Sequence, residues 1–186
     1  MATNIPSDEV RDRVATLNAE NALLYQTVGL FAVSFGHAEH QLTRLLAHIL
    51  GYRDFEQFDF IASGMDVRAK CAQLKRAAKM YMPMGPNISP RVEHFSRRLR
   101  NVRNNLAHND LLLRNNQILC MSLGVTSEGK PDNVRPVGRS PTRYGVEELQ
   151  RHSLWLIDFA QDLNECAEST WNQGPFEVAS PRSHLP

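Results

Sequence analysis

Residues 103 to 108 read Arg103-Asn104-Asn105-Leu106-Ala107-His108. An arginine, a polar residue directly after it and a histidine five positions on are a set that can do phosphodiester chemistry without a metal. The arginine grips a phosphate through a fixed fork of donors and stays charged. The histidine exchanges a proton near neutral pH without special tuning. Five residues along a helix amount to about 140° of turn and roughly 7.5 Å of rise, so the two side chains share no narrow stripe. One such pair is a sparse active site. A two-fold axis joining two copies would gather two arginines and two histidines around one groove.

The motif closes a predicted helix. Ser89 and Pro90 read as its cap and first residue. Its apolar side is Val92, Phe95, Leu99, Val102 and Leu106; Arg91, Arg97, Arg98, Arg100 and Arg103 lie opposite. Asn109 tolerates a left-handed cap and is the expected stop. His108 then falls in the last turn, where the helix dipole favours positive charge.

Other helices must position this one. Val10, Val14, Leu17, Leu24, Val28, Phe31, Phe35, Ala38, Leu42, Leu45 and Ile49 recur at steps of three and four, with Asn21 in the one missing place. This predicts a long helix over residues 8–50, capped near Ser7 and stopped at Gly51. Unbroken it would measure about 60 Å, too long for one small domain to cover, so a bend near residues 18–21 and a partner surface are both expected. Residues 53–63 suggest a short helix or structured loop. Residues 66–81 form an amphipathic helix, and the segment MPMGPN breaks it. After His108 the period changes: LLLRNNQILCMSL reads as two strands around Asn115-Asn116. Gly124 to Gly145 reads as a long surface loop, and a last helix begins at Val146. The expected architecture is mainly α: an antiparallel helical bundle over 1–172, with a hairpin and loop insertion at 111–144 and a flexible tail at 173–186.

Composition limits the function classes. The chain has 186 residues, with 42% hydrophobic and 22% charged, enough for one buried core. A net charge of +1 means that any nucleic-acid surface must be local. Cys71, Cys120 and Cys166 are scattered and odd in number, which suits a reducing cytosol. No segment has the roughly 18 apolar residues of a membrane span, and the acidic, polar start MATNIPSDEVRDR is unlike a signal peptide.

Competing motifs are weaker. His37, His40 and His48 have spacing that touches on zinc binding, but His37 and His40 are three apart, not the four residues with an internal glutamate that a zinc protease uses, and no Cys-x-x-Cys exists; no metal or other cofactor is expected. His94 and His152 read as surface residues. Gly129-Lys130 lacks the rest of a phosphate loop. Arg135, Arg139 and Arg143 could clamp a polyanion, and Tyr81 or Tyr144 could stack on bases. Arg97, Arg98 and Arg100 are either a solvated face or a phosphate track.

The stretch FSRRLRNVRNNLAHND resembles the signature of the HEPN superfamily: Arg, a polar residue, three or four further residues, then His. The segment FAVSFGHAEHQLTRLLAHIL resembles the early helix of stand-alone members, and the closing helix beginning GVEEL is similar in place. The likeness spans roughly residues 25–170. It implies a helical bundle, a symmetric homodimer and a composite groove that in many members is a metal-independent endoribonuclease. Arg103 and His108 would be the catalytic pair and Asn104 their support. A ribose 2′-hydroxyl would attack the adjacent phosphate and leave a cyclic phosphate, His108 moving the proton and Arg103 steadying the charge. Glu39 would orient the pair, and Arg97, Arg100 and Asn109 would contact RNA. Asn109 stands where many members have glycine. A toxin, defence or RNA-processing role in the cytoplasm, with an RNA substrate and a protein or antitoxin partner, follows from the resemblance. The alternatives are a non-catalytic module that binds nucleotide, RNA or protein in the same groove, and a purely structural dimer.

Overall fold

The computed structural model describes residues 7–52, 54–81, 88–121, 123–127, 134–138 and 141–172. It is mainly helical, with short antiparallel strands after the motif helix. The helices are α1 (Ser7–Ile49), α2 (Phe55–Ala62), α3 (Val67–Tyr81), α4 (Ile88–His94), α5 (Arg100–His108) and α6 (Val146–Asn172), with a π-helical turn at Phe95–Leu99. The strands are β1 (Asp110–Arg114), β2 (Gln117–Met121), β3 (Leu123–Ser127), β4 (Val134–Gly138) and β5 (Thr142–Gly145). The tail expected at 173–186 and the breaker at 82–87 lie outside the described residues.

The long first helix bends as its pattern predicts. Asn21 takes φ −115° and ψ 16°, outside the helical region, at the one place the apolar stripe lacks a member. Beyond it Leu24, Phe31, Phe35, Ala38, Leu42, Leu45 and Ile49 are all buried. Before it, Val10 and Val14 remain exposed. The helix ends as Gly51 suggests: Gly51 takes φ 77°, its N–H donates to the His48 carbonyl and the Tyr52 N–H to the Ala47 carbonyl. That is the paired bonding of a Schellman cap. At the other helix starts, Asp54 accepts from the N–H groups of Glu56 and Gln57, and Asp66 accepts from Ala69 at 2.7 Å.

The chain divides into two compact units: Met1–Val33 with Asn101–Ser153, and Ser34–Arg100 with Leu154–Pro186. The second is a helical assembly whose core centres on Phe95. The Phe95 ring stacks on Phe35 of α1 at 4.8 Å and tilts against Phe159 of α6 at 5.3 Å. Polar ties join its helices in pairs: Arg44 to Asn164, Lys75 to Glu93, Arg91 to Asp162 and Lys70 to Glu39. Arg91, placed opposite the apolar side by its spacing, also lies over the Trp155 ring at 5.1 Å and is part of the packing. His94 tilts against the same ring at 4.8 Å and is half-buried, contrary to a surface role. The regular helix expected from Ser89 onward starts by Ile88 and widens at Phe95, where the Arg100 N–H reaches the Phe95 carbonyl. Such π turns hold one residue more than an α turn, and no residue pattern announces this one.

The first unit carries the motif and the strands. Asn115 and Asn116 take φ 50° and 58°, the double positive φ of a type I′ hairpin turn, and Arg114 pairs with Gln117 across it. Leu111 to Leu113 give a half-buried, exposed, half-buried alternation, and β2 buries Ile118 and Cys120. The segment 124–145 is not the long loop expected. It contributes β3 and β4, paired with each other, and β5, which adds to β2 to complete a sheet of order β1-β2-β5. Its Gly, Pro and Ser content hid strands of only four or five residues.

His48 is shifted to lower pKa by burial and then by Arg44. A folded-state value below the unfolded one, about 6.5, means that the unfolded chain binds more protons, so stability is lost as pH falls through that value. Thermal melts from pH ~7.5 to ~5.5 should show a smaller acid loss in His48→Gln than in the parent. Lys70 is 9% exposed and its partner Glu39 is 29% exposed, with 2.9 Å between Nζ and Oε1. Lys70→Met should cost about 1–3 kcal/mol in urea unfolding, and Glu39→Gln in that background should recover part of it.

Candidate functional site

Arg103, Asn104, His108 and Asn109 all belong to the first unit. Val102 and Leu106 are buried, whereas Arg103 and His108 are exposed and Asn104 is half-buried. The arrangement is local and polar. Arg103 Nη1 donates to Asn104 Oδ1 at 3.2 Å, so the polar residue of the motif steadies the guanidinium. His108 makes no hydrogen bond among the described residues, and its ring is open to a ligand.

The helix ends at His108 as expected, by different means. Asn109 does not take a positive φ. Its Nδ2 donates to the Asn105 carbonyl at 2.8 Å, which satisfies one of the free carbonyls of the last turn. Its amide group is therefore engaged in the cap.

A second contact fixes the motif, and the sequence did not single it out. Asn105 Nδ2 donates to the Tyr144 hydroxyl at 2.8 Å. Tyr144 lies on β5 and is 9% exposed, so it serves as an anchor and not as a base-stacking platform. Burial raises its pKa most, and the Asn105 bond works the other way. The start of α6 is held nearby in the chain: Val146 N–H donates to the Asn116 carbonyl of the hairpin turn, and Gly145 N–H donates to Glu148, three residues on. Glu148 also approaches His152, whose side chain is mostly buried, so His152 too is no plain surface residue. Asn105 was readable only as the spare asparagine of the motif, because its partner is 39 residues away.

Arg97, Arg98, Arg100, Glu39, His37 and His40 belong to the second unit. Arg97 is exposed and pairs with Glu93. Arg98 is exposed and Arg100 half-buried; the Arg100 Nε is buried with no hydrogen bond among the described residues. Glu39 is engaged by Lys70. His37 meets Gln41 at 3.2 Å and His40 stands edge-on to Phe55. Among the described residues no three His, Cys, Asp or Glu side chains are gathered as for a metal. Cys71, Cys120 and Cys166 are free thiols, and burial pushes Cys71 up to about 12. Arg143 is exposed on β5, Arg135 lies on β4, and Arg139 lies outside the described residues. Among the described residues no helix is long and apolar enough to cross a membrane.

No protein-family model matches the chain, and no curated protein or solved structure matches it either.

The Asn105–Tyr144 bond should be measurable as a coupling. Tyr144→Phe and Asn105→Ala should each lower unfolding free energy by about 1–2 kcal/mol, and the double variant should lose about 1 kcal/mol less than their sum. Strict additivity in urea titrations would mean that the contact carries no energy.

Proposed function

We propose that the chain is a HEPN-like, metal-independent endoribonuclease that works as a homodimer, in the cytoplasm, on an RNA substrate. The observation that carries this reading is the exposure of Arg103 and His108 at one end of a helix whose other face is buried, with Asn104 bonded to Arg103. Arg103 would hold the scissile phosphate and meet the charge that builds on it. His108 would take the 2′-hydroxyl proton or protonate the leaving 5′-oxygen. One copy of the motif offers one imidazole, and both proton transfers are served best by two, which favours a second copy. Val10, Val14, Leu23, Leu30 and Val33 on α1 are exposed apolar residues that such a copy could cover. Arg97 and Arg100 would contact the RNA backbone and Glu39 would support the pair, as the resemblance implies. A toxin, defence or RNA-processing role, with a protein or antitoxin partner, belongs to the same proposal.

The second reading is a binding module for nucleotide, RNA or protein. It is favoured by one feature: His108 has no hydrogen-bond partner among the described residues to set its tautomer, whereas a working acid–base histidine is ordinarily oriented by one.

Purified protein should cleave structured RNA in the presence of a chelator and leave 2′,3′-cyclic phosphate ends. Arg103→Ala and His108→Ala should each reduce the rate by about 100-fold or more. Cleavage unaltered in both variants would eliminate the nuclease reading. Tight RNA binding without turnover, weakened in Arg103→Ala, would support the binding module.

A further inference from the structure

The strand that follows the motif has a free edge with an unusual order of residues. In the sheet β1-β2-β5, β1 is an outer strand, and among the described residues nothing pairs with its far side. Edges of this kind offer unpaired N–H and C=O groups to any extended chain. The strand reads Asp110-Leu111-Leu112-Leu113-Arg114, and Asp110, Leu112 and Arg114 are all exposed on one face. Leu112 is 49% exposed. Neither Asp110 nor Arg114 has an ion-pair partner among the described residues.

The register decides which backbone groups are free. The two-residue turn at Asn115-Asn116 makes Arg114 and Gln117 the closing pair, which exchanges both hydrogen bonds. Alternation then directs the backbone groups of Leu112 and Asp110 towards β2 as well, and those of Leu111 and Leu113 outward. The outward set is two N–H and two C=O groups.

We propose that this edge docks the same strand of a second copy, antiparallel, about a two-fold axis at Leu112. In that register Leu111 and Leu113 exchange four backbone hydrogen bonds with Leu113 and Leu111 of the second copy. Leu112 meets Leu112 in a pair without hydrogen bonds, where side chains come closest. Asp110 faces Arg114 of the second copy, and Arg114 faces Asp110. The strand is thus complementary to itself, and both charges acquire partners. A parallel pairing would set Asp110 on Asp110 and is unfavourable. Sliding by one residue on one copy turns the core face of that copy outward. Centring on Leu111 or Leu113 leaves a charge opposite a leucine. The product is one continuous sheet of six strands with an isologous centre.

This contact is separate from the groove proposed for catalysis. The two Asp110 would lie about 13 Å apart along the strands, at opposite ends of the junction, so the pairing does not itself bring the two His108 rings together. It stands whether or not the motif cuts RNA.

Sedimentation of the full chain over a concentration series tests it. The parent should self-associate. Arg114→Asp, which sets carboxylates against carboxylates, should weaken that association by roughly tenfold or more, and Asp110→Arg with Arg114→Asp should restore it. Leu112→Cys should yield a disulfide-linked dimer on mild oxidation, because pairs without hydrogen bonds place Cα atoms about 4.5 Å apart; the parent, with its three native thiols, should not. A parent that stays monomeric throughout, an Arg114→Asp chain that associates like the parent, a charge swap that does not restore, or a Leu112→Cys chain that stays unlinked would each overturn the pairing. RNA cleavage measured on the same samples keeps the two proposals apart, since loss of cleavage with unchanged mass bears only on the catalytic one.

Discussion

Burial of one stripe decides where every candidate group on the motif helix points. Val92, Phe95, Leu99, Val102 and Leu106 are all buried, and each is worth on the order of 2 kcal/mol relative to exposure. No capping bond or surface charge along the helix approaches that sum, so the stripe sets the rotation of the helix and the arginines follow. Arg103 and His108 are exposed because Val102 and Leu106 are not. Arg91 shows the limit of the rule. It lies on the same helix, yet Asp162 and the Trp155 ring capture it, and a formally outward residue becomes part of the packing.

The end of the motif helix is held by amides, a choice with consequences. Asn105 ties its side chain to Tyr144 and its carbonyl to Asn109, while the adjacent hairpin turn ties to the start of α6 through Asn116. The bonds between Asn105, Tyr144 and Asn109 are neutral, so they hold geometry without competing for a phosphate or setting a strong local charge. Arg103 likewise rests on a neutral amide, Asn104, and not on a carboxylate that would offset its charge. The guanidinium therefore keeps its full attraction for an anion. The carboxylate expected to orient it, Glu39, is taken by Lys70.

The elements were largely legible wherever a period persisted for three turns or more. The stripe of α1 beyond Asn21, the gap at Asn21, the stop at Gly51 and the apolar side that runs through α4 and α5 follow from spacing and turn chemistry. The Asn115-Asn116 turn was legible because positive φ at two successive residues leaves few alternatives. What failed had a common cause. β3, β4 and β5 show no clear apolar alternation against a background of Gly, Pro and Ser, whereas β1 and β2, of similar length, are rich in leucine and isoleucine. The π turn at Phe95–Leu99 leaves the apolar spacing intact. The Asn105–Tyr144 and Glu39–Lys70 contacts join distant parts of the chain, and no local pattern encodes a partner 39 or 31 residues away. The site was therefore readable as a list of residues, while the contacts that hold it were not.

The division of labour within residues 101–121 makes assembly the central question for this chain. α5 exposes groups suited to an anion, and the strand immediately after it exposes an edge suited to another strand; only Asn109 separates the two elements. Backbone pairing is specific in direction but almost indifferent to sequence, and an exposed edge is ordinarily a hazard. Charges at both strand ends usually guard against it. Here they have opposite sign and equal distance from Leu112, so they repel a parallel neighbour and attract an antiparallel one. A guard that admits a single geometry acts as a selector, and the geometry it selects is the strand's own image.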